Sequence, residues 1–148
     1  MTYWTIKLFE GILMQHKIDK KIAKLKYYLE LLKEYKTDCK ERFLSDPMYE
    51  GALLHYLYLV SDGSIALAEM MIKHKSLNSP QSYYEAIDIL GENNILPREF
   101  AYKFAKIASF RNFLAHDYEK IDYLIICEEA LNKLSEIEEF IKHIEVAI

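Results

Sequence analysis

An all-α fold is what this sequence predicts: an antiparallel bundle of four to five helices in a single domain over residues 1–148. Three observations carry that expectation. Glycine and proline number only 4 and 3 in 148 residues, too few for the tight turns a β-rich fold needs. Apolar residues recur three and four apart over long stretches, the period of a half-buried helix. Alternating apolar–polar runs bounded by turn clusters, the mark of strands, are absent.

Composition narrows the class further. Half the chain (51%) is hydrophobic and 28% charged, ordinary for a soluble globular domain of this length. The net charge of −4 speaks against a general nucleic-acid binder, which wants a basic surface, though not against a local basic cleft. Cys39 and Cys127 are too few and too far apart for a disulfide framework or a zinc site, and read as reduced thiols of a cytoplasmic protein. The opening stretch is apolar but carries Lys7 and Glu10 and has no small-residue cleavage site, so it does not read as a secretory leader. The apolar run Ala52–Ile72 contains His55, Asp62 and Glu69, which are costly inside a bilayer; it reads as a buried helix.

Taken in order, residues 1–14 form a short apolar lead of one or two helical turns, an extra N-terminal segment, with Met14 a second candidate start. Ile18 to Thr37 is an amphipathic helix: Ile18, Ile22, Leu25, Leu29, Leu32 and Tyr35 share one side and lysines the other. Asp46-Pro47 starts the next helix, Asp as N-cap and Pro at the first helical position. That helix reaches about His74 and is apolar almost all round, so it takes the centre of the bundle. Asp62-Gly63 interrupts it, implying a kink or the close approach of another backbone. Asp62, in apolar company, needs a partner; water, a hydroxyl and Arg111 are the candidates. Ser79-Pro80 opens a short helix to about Leu90 with Gly91 as its C-cap. Leu96-Pro97 opens a fourth helix. Asp122 caps a last one, to about Val146, that buries Ile125, Ile126, Ala130, Leu134, Ile137, Ile141 and Ile144.

The chemistry concentrates near the end of the fourth helix, where Arg111–Tyr118 reads RNFLAHDY. At about 100° per residue, Arg111 falls at the edge of the apolar face formed by Phe100, Phe104, Ile107 and Leu114, where a solubilising charge is not normally placed. Ala101, Ala105, Ala108, Asn112 and Ala115 form an adjacent stripe that admits a second helix or a ligand. Asn112 and His116, four apart, share a face. This set suits cleavage of RNA by its own 2′-hydroxyl. Histidine moves protons near neutral pH, arginine holds phosphate oxygens, and Asn112 orients the imidazole or the substrate. No metal is needed. The same residue types also serve structure alone, when a helix-end histidine and a buried arginine merely satisfy carbonyls and a carboxylate.

RNFLAHDY, followed by Lys120-Ile121-Asp122, resembles the signature of HEPN-domain toxins of the HepT type, the toxin halves of type VII-like HEPN/MNT toxin–antitoxin pairs. The likeness runs from about Ile18 to the C-terminus and includes the helix after Asp46, the Ser79–Tyr83 turn and the Ile95-Leu96-Pro97 entry to the motif helix. It implies a helical bundle that pairs as a homodimer with two motifs facing each other. It further implies a cofactor-free, metal-independent endoribonuclease. Its partner would be a nucleotidyltransferase (MNT) antitoxin that transfers AMP to the motif tyrosine. Carried over, Arg111 and His116 are catalytic, Asn112 supports them and Tyr118 is the modified residue. Asp62 resembles, more loosely, an acidic position of the family's second helix.

A different class of function stays open beside it: a non-catalytic helical adaptor that binds nucleotide or protein, favoured by the negative net charge. A metal-bundle oxidase is a poor third, because the paired Glu-x-x-His sets it requires are missing. His16, His55, His74 and His143 read as surface or packing residues.

Overall fold

The computed structural model describes residues 2–116 and 121–148. Its first helix, α1 (Tyr3–Lys33), is capped by the Thr2 hydroxyl, which accepts from the Thr5 N–H. The separate lead expected over residues 1–14 is instead the start of α1. No glycine, proline or capping residue stands between Leu13 and Ile18, so nothing ends the helix there. The expected buried stripe is present: Ile18, Ile22, Leu25, Leu29 and Leu32 all face the core. Upstream of Met14, which still packs on the core, the helix leaves the bundle, and Trp4, Leu8 and Phe9 stand exposed.

After a tight turn at Glu34–Lys36, a short helix α2 (Cys39–Ser45) follows. Seven residues are too few to show a helical period, so α2 carries no sequence signal of its own. Asp46 then caps α3 (Pro47–His74), accepting from the Met48 and Tyr49 N–H groups at 3.0 and 3.2 Å. The central position expected of this helix is what it occupies, packed against α1, α2, α4, α6 and α7. Gly63 marks a close approach. A Cβ there would lie 2.7 Å from Leu25 Cδ2, so the missing Cβ makes room for the Leu25 side chain of α1 rather than for another backbone.

Helix α4 (Tyr83–Glu92) begins later than Ser79-Pro80 suggests, because Ser82 supplies the cap, accepting from Glu85 N–H at 3.1 Å. Gly91 is not its C-cap. It lies inside the last turn, and the chain leaves through Asn93 and Asn94, the latter at φ 61°, a left-handed conformation that asparagine tolerates. A Cβ on Gly91 would stand 2.6 Å from that of Ala101, so glycine here serves helix contact.

The single helix expected after Leu96-Pro97 is two, α5 (Arg98–Phe104) and α6 (Ile107–His116). They meet at a tightened turn in which the Ala108 N–H donates to the Ala105 carbonyl, three residues back, at 3.1 Å. The Asp122 carboxylate accepts from the Leu124 N–H at 3.1 Å, as expected of a cap. Behind it come a π-helical turn (Leu124–Ala130), a 3₁₀ turn (Leu131–Lys133) and α7 (Leu134–Ala147). The wide π turn shifts the phase of the apolar stripe. Ile126, Leu134, Ile137, Ile141 and Ile144 are buried as expected and joined by Leu131 and Phe140, while Ile125 and Ala130 are only half-buried. Among the described residues, no helix is long and apolar enough to cross a membrane.

Cys39 and Cys127, expected as reduced thiols, form a disulfide with their Cα atoms 5.7 Å apart. Their separation of 88 residues concealed this, because proximity depends on α2 docking against the π-helical turn, which no local pattern encodes. A bridge closing so long a loop removes much of the unfolded chain's freedom. Reduction, or paired Cys39→Ser and Cys127→Ser changes, is expected to lower unfolding stability by about 2–4 kcal/mol. Urea titrations with and without dithiothreitol measure this, and coincident curves would contradict it.

Candidate active site on helices α3 and α6

Helix α6 lies against the middle of α3 and presents Arg111 to its wall. The Arg111 side chain is 16% exposed and Asp62 is 44% exposed. The Arg111 Nε–H donates to Asp62 Oδ1 at 3.0 Å, so the partner of Asp62 is the arginine. Tyr58, one turn earlier on α3, accepts from Nη2 at 3.1 Å. The Asn112 side-chain oxygen accepts from Nη1 at 3.3 Å. The guanidinium carbon also stands 5.3 Å from the Tyr58 ring centroid and 5.0 Å from that of Tyr83, at the start of α4.

A guanidinium has five N–H donors in one plane. Three are engaged, which leaves one on each terminal nitrogen among the described contacts. Spare N–H groups on an anchored guanidinium are suited to the oxygens of a phosphate. The hydrogen bond that Arg111 donates to Asp62 raises its pKa above the ordinary guanidinium value, partial burial opposes it, and the facing tyrosines reinforce it. The cation is therefore permanent and its geometry is set by α3.

His116 is exposed at the last residue of α6, and Asn112, one turn before it, is exposed on the same face. Asn112 also lines an open hollow of about 470 Å³ between the start of α4, the second half of α3 and α6, together with Tyr83, Ala108 and Glu69. Arg111, Asn112 and Asp62 thus form one hydrogen-bonded group, with His116 a turn away from Asn112. Tyr118 lies outside the described residues.

Of the two parts its spacing suggested for the small stripe, close approach of another helix is the one seen at Ala101. Ala101, Ala105 and Ala108 are buried, and Ala101 meets Gly91 of α4 within the chain, so much of it serves internal packing. Tyr58 and Tyr83 are the site residues that sequence reasoning missed. Tyr58 carried a usable signal, four residues before Asp62 and so on the same face of its helix. Tyr83 carried none, since its place beside the guanidinium depends on how α4 docks.

The fold and this arrangement define an all-helical bundle with an R-x-x-x-x-H helix packed on a central helix. The model of the HepT-like ribonuclease family matches residues 25–144. The chain belongs to that family of HEPN-fold endoribonucleases. A curated relative, the mRNA nuclease HepT of Shewanella oneidensis, is 24% identical over 121 residues, covering 82% of this chain and 90% of its own. A crystal structure of a toxin–antitoxin with AMP-PNP superposes with a TM-score of 0.78 at 22% identity, covering 87% of this chain and 97% of the other. A tri-AMPylated Shewanella oneidensis HEPN toxin in complex with an MNT antitoxin gives 0.77 at 22% identity, covering 87% and 96%. YutE of Bacillus subtilis, a cytosolic protein of unknown function, gives 0.77 at 20% identity, covering 90% and 89%.

The anchoring of Arg111 is directly testable. Asp62→Asn should leave the chain folded and cost less than about 1 kcal/mol, because the carboxylate is half-exposed. It should release the guanidinium, seen in NMR as faster solvent exchange of the Arg111 Nε–H. An unchanged exchange rate would mean that Tyr58 and Asn112 hold the side chain without Asp62.

Proposed function

We propose that this chain is the toxin of a HEPN/MNT toxin–antitoxin pair and cleaves RNA without a metal ion or cofactor. The observation that carries this reading is the Arg111 fork, anchored by Asp62 and Tyr58 with two N–H groups left over, on the same short helix as Asn112 and His116. In the proposed reaction Arg111 binds the scissile phosphate and neutralises the charge that develops on it. His116 transfers a proton, as base toward the 2′-hydroxyl or as acid toward the leaving 5′-oxygen. The products are a 2′,3′-cyclic phosphate and a free 5′-hydroxyl. One motif supplies one histidine where both a base and an acid are wanted, so the active form is a homodimer in which two copies of His116 share the work. Asn112 positions the imidazole or the substrate. A cleft holding two Arg111 side chains concentrates positive potential locally, which reconciles RNA binding with the net charge of −4.

His116→Ala and Arg111→Lys are each expected to lower RNA cleavage by about 10²–10⁴-fold with folding unchanged; the lysine keeps the charge but not the fork. Purified protein is incubated with total RNA in EDTA and the new ends are examined for cyclic phosphate. Cleavage by both variants at the wild-type rate would overturn the assignment. No cleavage by any form, with nucleotide still bound, would favour the adaptor reading.

The proposed partner is a nucleotidyltransferase antitoxin that silences the chain by transferring AMP to the Tyr118 hydroxyl, with pyrophosphate leaving from ATP. The relation of this fold to the AMPylated toxin of Shewanella oneidensis supports it. A phosphate two residues beyond His116 places negative charge and a nucleotide beside the motif. After co-expression, mass spectrometry should find AMP on the Tyr118 peptide of the wild type, and Tyr118→Phe should escape silencing. A phenylalanine variant that is still fully neutralised would point to occlusion by the partner alone.

A further inference from the structure

A cavity of about 390 Å³ lies between α3, the α5–α6 junction, the π-helical turn and the start of α7. Its size falls within the range of small-molecule sites. Its walls are mostly leucine, isoleucine, valine and phenylalanine side chains. Set into them is the Ser61 hydroxyl, on a residue only 1% exposed, which has no hydrogen-bond partner among the described residues. Buried hydroxyls are normally satisfied, and leaving one without a partner costs about 1–3 kcal/mol. The contrast lies one turn on, where the Ser64 hydroxyl donates to the Val60 carbonyl at 2.6 Å.

Charge marks the rim. Lys103, Lys106, Lys133, Glu129 and Glu136 all border the cavity. Lys103 is paired with Glu136 at 3.7 Å. Lys106 and Lys133 have no carboxylate within 4 Å among the described residues, which leaves two cations against Glu129. An apolar chamber with one unsatisfied hydroxyl in its wall and surplus lysine at its border selects a definite ligand chemistry. The body is apolar, one end is anionic, and a second polar atom reaches the serine.

We propose that this cavity binds a small apolar carboxylate that carries a hydroxyl group, with the acid held by Lys106 and Lys133 and the hydroxyl bonded to Ser61. The site is separate from the Arg111 cluster but adjoins it, because Ser61 and Phe110 are the chain neighbours of Asp62 and Arg111.

Calorimetric titration of the full chain with ω-hydroxyoctanoate, octanoate and octanediol tests this. ω-Hydroxyoctanoate should bind at a single site. Octanoate should bind about tenfold more weakly, the weight of one net hydrogen bond, and octanediol more weakly than ω-hydroxyoctanoate. Ser61→Ala should remove the advantage of the hydroxy acid over octanoate. Paired Lys106→Gln and Lys133→Gln changes should weaken both acids and leave the diol unaffected. Ala130→Phe, which fills the chamber from its half-buried edge, should abolish binding while thermal melting shows the chain still folded. The proposal is overturned if no probe binds at millimolar concentration. It is equally overturned if Ser61→Ala keeps the full preference for the hydroxy acid, or if a folded Ala130→Phe variant binds as the wild type does.

Discussion

The ion pair between Arg111 and Asp62 is the constraint on which the candidate site depends. Helix α3 is the bundle's central element, and Arg111 of α6, 16% exposed, lies against its middle and needs a partner there. The half-exposed Asp62 carboxylate is that partner, at 3.0 Å. The pair fixes the guanidinium against α3. The Tyr58 hydroxyl and the Tyr83 ring complete the surround. The arginine is thereby held rigidly while two of its donors stay available, which is what a preorganised phosphate site requires.

Close contacts between helices set the frame around that pair. Gly63 admits Leu25 of α1 on one side of α3, and Gly91 admits Ala101 of α5 against α4. Both glycines lie within helices, where glycine weakens helix preference by about 1 kcal/mol relative to alanine. Their use is steric. The Cys39–Cys127 bridge adds a covalent tie between α2 and the π-helical turn, at the end of the chain that follows the motif. Phe104 and Phe140, stacked with centroids 4.7 Å apart, join α5 to α7. The motif helix is thus flanked by elements that are themselves anchored.

The same packing explains why chemistry and open space are distributed as they are. The small residues expected to admit a second helix do so at Ala101, against α4, while Ala108 and Asn112 border the open hollow beside α4. A second space appears where the helical phase changes, at the α5–α6 junction and beside the π-helical turn. A regular pair of helices would interdigitate there; two breaks facing α3 do not.

Much was determined by the sequence alone. The all-helical class, the central place of α3, the Asp46 and Asp122 caps, and the buried stripes of α1 and α7 are local matters, governed by periodicity and capping within one or two turns. The motif residues and their shared helix belong to the same order, since i and i+4 fix a face without reference to the rest of the molecule. Only the tertiary structure decided which partner Asp62 takes, that Tyr83 stands against Arg111, that Gly91 serves a contact rather than a cap, and that Cys39 meets Cys127. Each of these joins residues far apart in the chain. Their meeting depends on how whole helices dock, and docking is settled by the sum of many weak contacts that no single stretch of residues records.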